Sequence, residues 1–344
     1  DWRASLTGLN LENVRFRYID ENRKVDSPGM DYADLDIFVS ELRISDLAIH
    51  NDTFDFYIDH LRARDKCGFV VDTLHGKFSL SPLFLIADGL EIKTPGSKLD
   101  LDLTFQYEAW EDYIAFTEKV NMNSVIRPSE LNMKEIGYFA PDLLAMDNHV
   151  RLGGMVKGRV NNLKVSDFRF AFGRDTRFLG DISLYGLPDA SETFINTSIE
   201  TFTFTREDVN RFAIPGSFGT IPVPAELEVF GKMQINGQFT GFYNDFVSTA
   251  TFESNLGTIY TDVSLTQNED YSNVIYNGEL RARRFHIGKF LGLDKYFGNM
   301  DMDAIVSGSG LTGNTVNINM NGSIDSLDFM GNTFNQLGIS GEIA

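Results

Sequence analysis

Residue types that could do chemistry are present in this chain, but not at spacings that let them act together. The five histidines, His50, His60, His75, His149 and His286, stand far apart, and none forms an HExxH-type pair that would put two imidazoles on one helical face. Most of the 49 acidic residues fall in turns or in the polar phase of alternating stretches. A solvated face accounts for them better than a pair of catalytic carboxylates does. Asp301-Met302-Asp303 lacks the further oxygen ligands and the closing Glu of a calcium loop. Gly292, Gly298, Gly308 and Gly310 read as turn or close-packing glycines and form no phosphate-binding loop. Cys67 is the single cysteine, so no intrachain disulfide is possible, and its neighbours do not suit a metal. The expectation is a non-enzymatic chain with no cofactor and no metal.

The chemistry that remains is burial of apolar surface. Of 344 residues, 42% are hydrophobic, with 29 Phe and 30 Gly, a composition that reads as all-β with many tight turns. The 30 basic residues against 49 acidic ones give a net charge of −19. That charge repels nucleic acid and anionic membrane surfaces and keeps an apolar-rich sheet in solution. No apolar run approaches the ~18 residues that span a bilayer, and Met30 follows no signal-like segment.

The elements show their pattern most clearly at Leu99 to Tyr107. There Leu99, Leu101, Leu103 and Phe105 alternate with Asp100, Asp102, Thr104 and Gln106, the period of a half-buried strand. Asp100-Leu101-Asp102-Leu103 has counterparts in Asp181-Ile182-Ser183-Leu184 and Asp262-Val263-Ser264-Leu265, and the three Asp positions are 81 residues apart each time. Equal spacing carried by strands implies a copied supersecondary unit.

Before it, Leu35, Ile37 and Val39, then Leu42 and Ile44, then Leu47 and Ile49 alternate with parity shifts between the groups, which predicts bulges or very tight turns. After it, Trp110, Tyr113, Ile114 and Thr117 sit at helical spacing. Asn132-Met133-Lys134-Glu135 reads as a capping box with Pro141 as the stop, Thr205 to Asp208 as its counterpart, and His286 followed by Ile287, Phe290 and Leu291 as a third short helix. The unit is therefore strand, strand, short helix, strand, strand. The division expected is a meander over 1–98, repeat units over 99–179 and 180–260, and a truncated one over 261–344. Ile214 to Pro224 reads as a loop, and both ends of the chain read as cuts through a longer protein.

Alternation gives each strand one apolar face. Such an array can pack as a sandwich, close in a membrane, or curl so that its apolar side lines a groove with short helices seating the turns. A repeat without linkers favours units sharing one core over sandwiches that each finish within about 100 residues. Short helices do not fit a membrane barrel wall. The fold class expected is thus an elongated, repetitive, all-β sheet curled into an open apolar groove, with a few short helices. Its lining would be Leu101, Leu103, Phe105, Phe168, Phe170, Phe172, Ile182, Leu184, Met233, Ile235, Phe239, Val263, Leu265, Val316, Ile318 and Met320. A long apolar trough calls for a partner, and phospholipid acyl chains match it, since each buried CH₂ contributes ~0.8 kcal/mol. The rival is an extracellular adhesive or glycan-binding array of β-sandwiches.

Asp88-Gly89-Leu90-Glu91-Ile92-Lys93-Thr94-Pro95-Gly96-Ser97-Lys98-Leu99, and Pro128 through Pro141 (PSELNMKEIGYFAP), resemble the repeating segments of TamB-like proteins of Bacteroidota, within the AsmA-like group of Gram-negative envelope proteins. The likeness runs from about Tyr32 onward and is one of texture and repeat plan. It implies a periplasmic bridge segment that conducts phospholipid between the two membranes and is linked to outer-membrane protein assembly. It also implies an N-terminal helix in the inner membrane and a C-terminal part meeting a TamA/BamA-type partner, both outside this sequence.

Overall fold

In the computed structural model the described residues are 3–22, 28–189, 191–214, 216, 219–221, 223, 225–267, 274–310 and 317–343. They form 18 antiparallel strands in one sheet that is not closed. The chain divides into two compact units, Asp1–Arg174 with Asn210–Ile221, and Asp175–Val209 with Pro222–Ala344.

The first unit holds β1 (Arg3–Ile19), β2 (Asp34–His50), β3 (Thr53–Asp65), β4 (Val70–Leu80), β5 (Phe84–Lys93), β6 (Lys98–Gln106), β7 (Asn121–Asn132), β8 (His149–Arg159) and β9 (Asn162–Phe172). The second holds β10 (Thr176–Tyr185), β11 (Phe194–Thr205), β12 (Lys232–Phe242), β13 (Asp245–Ser254), β14 (Gly257–Gln267), β15 (Val274–His286), β16 (Phe297–Ser309), β17 (Asn317–Phe329) and β18 (Asn332–Ile343). Within each unit every strand pairs with its neighbours in sequence.

Among the described residues, short α-helices interrupt the meander: α1 (Phe116–Lys119), α2 (Met133–Ile136), α3 (Arg206–Arg211) and α4 (Ile287–Leu291). The order two strands, a helix, two strands occurs in β10-β11-α3-β12-β13 and β14-β15-α4-β16-β17, and in β6-β7-α2-β8-β9 with a 3-10 turn and α1 added between β6 and β7. Asp100, Asp181 and Asp262 lie in the first strand of each set. The helical spacing at Trp110 becomes a 3-10 turn over Trp110–Ala115 running into α1.

The parity shifts resolve as bulges inside long strands, not as turns between short ones. β2 is a single strand of 17 residues, and its register with β3 slips between Val39 and Glu41, Arg43 and Ile44, and Ser45 and Ala48. Where the apolar phase changes, one residue often takes a left-handed backbone: Asn13 (φ 55°), Asp46 (φ 51°), Asp167 (φ 50°), Arg284 (φ 48°) and Gln336 (φ 59°). Each returns the next apolar side chain to the face held before it, so strands longer than an ordinary half-dozen residues keep one greasy side.

Two local readings are corrected. Asn132 does cap α2, accepting the Lys134 N–H at 2.9 Å. Glu135, however, does not close a capping box. It reaches the β5–β6 turn, where its carboxylate accepts from Thr94 Oγ1 (2.5 Å), the Gly96 N–H (2.9 Å) and the Ser97 hydroxyl. Pro141 does not stop that helix: α2 ends at Ile136, with Gly137 as its C-cap, and Pro141 opens a separate 3-10 turn, Pro141–Leu143. Parts of the Ile214–Pro224 loop lie outside the described residues; within it, the Ile214 N–H donates to the Gly219 carbonyl at 3.1 Å.

Apolar packing concentrates where strands meet helices. Leu131, Val150 and Phe172 are buried beneath Met133, Ile136 and Phe212 in the first unit. Leu256, Ala282, Phe285, Met300, Met302 and Ala304 are buried beside Phe230 and Ile287 in the second.

Candidate functional site

Residues directly opposite one another in an antiparallel pair share a face, so the register shows which side chains form one surface. In the second unit, one row runs Ile182, Thr197, Phe239, Ser248, Val263, Gly278, Val306, Met320, Gly341. The next runs Leu184, Ile195, Gly241, Phe246, Leu265, Tyr276, Gly308, Ile318. A third runs Phe178, Phe202, Ile235, Phe252, Ile259, Ala282, Met302, Ile324, Leu337. Met233 lies opposite Phe204, two positions from Ile235 on the same side.

In the first unit, Leu103 stands in register with Ser124, Val156 and Val165, and Phe105 with Met122, Gly158 and Leu163. Leu101 faces Leu90 on one side and Ile126 on the other. Phe170 is opposite Leu152 and Phe172 opposite Val150, with Phe168 two positions further along the same side of β9. The expected lining residues thus fall on one face of the sheet within each unit. Val316 lies outside the described residues.

Their exposure is intermediate throughout, apart from Phe172, which is buried at 8%. Neighbours on the same sheet shield the flanks of these side chains, and full burial is reached at the helix-covered corners and at strand positions such as Ala87, Leu90 and Ala250. At the far end of β6, Phe116 of α1 packs edge-on against Phe105, with ring centroids 5.2 Å apart.

The row glycines are positions that sequence reasoning missed. A Cβ on Gly278 would sit 2.1 Å from the Asp262 carbonyl oxygen, and one on Gly322 would sit 2.1 Å from the Asp303 carbonyl oxygen. No side chain fits there, so the backbone is bare at these points of the apolar face. The signal was a glycine in the apolar phase of an alternating strand, as at Gly278 between Tyr276 and Leu280.

The opposite face carries most of the charges, although Asp65, in register with Ile37 and Phe16, stands on the apolar side. Arg127 donates to Asp100 at 2.5 Å and to both oxygens of Asp102 at 2.7 and 3.1 Å, and the Gly89 N–H donates to Asp102 at 2.7 Å. The Arg127 hydrogen bonds, then the Gly89 N–H, hold the Asp102 carboxyl below its ordinary range, and the two carboxylates raise Arg127. The histidines stay dispersed. His50, His60 and His75 each stand 3.6 Å from one carboxylate, of Asp55, Glu41 and Glu91 respectively. His149 lies 3.3 Å from Asn132, and His286 caps α4 by accepting the Lys289 N–H at 3.3 Å. Among the described residues, no three His, Cys, Asp or Glu side chains stand close enough to hold a metal ion.

No protein-family model, curated protein or solved structure matches the chain.

Proposed function

We propose that the apolar face is a track for phospholipid acyl chains, and that the sheet curls into an open groove which shields them while head groups stay in water. The observation that supports this reading is the register of mostly apolar, mostly half-buried positions from strand to strand in the second unit, with the charged residues of those strands, such as Asp262, Glu279 and Asp303, on the other face. A sandwich would cover such rows with a second sheet, whereas the described strands belong to one. The rows named in the second unit carry no charged side chain, so no position there would hold a methylene chain by a specific contact, and lipid could slide.

On this reading the chain is a non-enzymatic segment of a TamB-like periplasmic bridge. It conducts phospholipid between inner and outer membranes in connection with outer-membrane protein assembly. Its membrane anchor and its TamA/BamA-type contact would be supplied by other parts of that protein.

Native mass spectrometry of protein purified without detergent, followed by lipid extraction, tests it. Several phospholipids per chain are expected, and the pair Leu184→Asp with Ile235→Lys should remove those bound along the second unit while leaving the circular-dichroism spectrum unchanged. A lipid-free, monodisperse protein, or lipid retained undiminished by the variant, would refute the proposal.

A further inference from the structure

The polar face of the second unit carries a row that solvation alone does not explain. Starting at Ser183 on β10, it passes through Asn196, Thr240, Val247 and Ser264 on the next four strands, each directly opposite the one before. It continues through Asn277, Ser307 and Asn319 on β15, β16 and β17, and meets its first charge at Glu342 on β18. The row alongside holds Asp181, Asp262 and Glu279 in one register, as the solvated face of a chain with 49 acidic residues should.

Three members of the uncharged row are asparagines inside strands, where that residue is a poor choice. Asn196, Asn277 and Asn319 are exposed, and none of their side-chain amides makes a hydrogen bond among the described residues. Nothing in the described fold rewards their presence, yet each offers both donors and an acceptor to whatever lies on the sheet. Apolar groups border the row on the same face. Tyr185, Phe194 and Phe242 each stand two positions from a row member. Tyr185 is 46% exposed, with its ring 6.3 Å from that of Phe194, which lies 5.4 Å from that of Phe242. Val247 within the row and Ile275 beside it are 55% and 53% exposed.

We propose that this row binds a neutral, extended, β-linked polysaccharide laid across the strands. A strand spacing of ~4.8 Å sets one side chain per step, close to the advance of one sugar ring in such a glycan. Sugar hydroxyls meet the amides and hydroxyls of Asn196, Thr240, Asn277 and Ser307, while the C–H faces of the rings pack on Tyr185, Val247 and Ile275. Charge selects against acidic polymers, since the row holds no cation from β10 to β17 and carboxylates flank it. The proposal is independent of the acyl-chain reading, because it uses the other face of the sheet.

The test is isothermal titration calorimetry of the full chain with cellohexaose, and with an oligomannuronate of equal length as the acidic counterpart. Saturable binding of cellohexaose is expected, unchanged by salt, with the acidic oligomer at least tenfold weaker. Asn277→Ala combined with Asn319→Ala should weaken binding about tenfold, and Tyr185→Ala about fivefold. All three side chains are exposed, so the circular-dichroism spectrum should stay that of the parent chain. Glu279→Gln, in the neighbouring row, should leave cellohexaose affinity unchanged and narrow the gap to the acidic oligomer. Absence of cellohexaose binding, equal binding of the two oligomers, a salt-dependent affinity, or indifference to both the asparagine pair and Tyr185→Ala would each overturn it.

Discussion

The first and third copies of the repeated motif close the same corner, where a strand pair runs into a short helix, by different chemistry. In the first, Glu135 reaches from α2 across to the turn that begins β6, and only three apolar residues are fully buried beneath the helix. The second copy repeats that solution: Asp208 of α3, 2% exposed, accepts the N–H groups of Asp175 and Thr176 at 2.7 and 2.8 Å and the Thr176 hydroxyl at 3.1 Å. The third has Lys289 at the equivalent helical position. There six buried apolar residues make the corner, and Phe230, Phe285 and Phe290 lie within 5.7–6.4 Å of one another. Its acid is Asp301 on β16, which takes the Arg284 N–H at 2.6 Å and the Ser326 hydroxyl at 2.9 Å. A carboxylate that ties up turn donors and a larger oily plug are thus interchangeable ways to hold a strand end. Both plugs reach into the apolar rows, through Phe172 in the first copy and Ala282 and Met302 in the third.

The largest break should come from the oily plug. Phe285→Ala is expected to cost about 3–5 kcal/mol, measured by urea unfolding of the second unit's signal. Asp208→Ala comes next, at about 2–3 kcal/mol, because it strands three donors in a buried corner. The same truncation at Lys289 should change little, which tests whether the acid and not the helix does the holding.

Acid should separate the corners further. The Arg284 N–H, and secondarily the Ser326 hydroxyl, lower the Asp301 carboxyl from its ordinary value. A group depressed on folding contributes stability that is present above the unfolded carboxylate value, about 3.9, and is lost as pH falls through the lower folded one. Hydrogen exchange near α4 should therefore accelerate as pH is taken below that range, and Asp301→Asn should abolish the pH dependence. The smallest effect expected is a gain. Arg284→Gly keeps the N–H that Asp301 binds and relieves the left-handed strain of a side-chain-bearing residue, raising stability by about 1 kcal/mol in the same urea titration.

Alternation made the strands legible before any coordinates, because period-two burial is a local property, and Asp100, Asp181 and Asp262 each fall within a strand. The phase slips in β2 were legible as slips. Their cause was not, because whether the chain turns or bulges depends on whether the neighbouring strand continues past the slip, as β3 does. Glu135 was misread for a similar reason: a capping box is a four-residue pattern, and the rival donors at Thr94 lie 41 residues earlier. Pro141, likewise, opens a turn because α2 had already ended at Gly137. The side on which Phe168 and Phe170 emerge was legible only as relative parity, since the left-handed Asp167 resets the count from Val165.

The strictly sequential meander has a kinetic consequence. Within each unit every strand finds its partner in the segment just before or just after it, so closing each contact sacrifices little chain entropy and the sheet has low contact order for an all-β protein. A chain emerging gradually from a pore can lay down each hairpin on the last one, extending the sheet as it arrives without waiting for its far end.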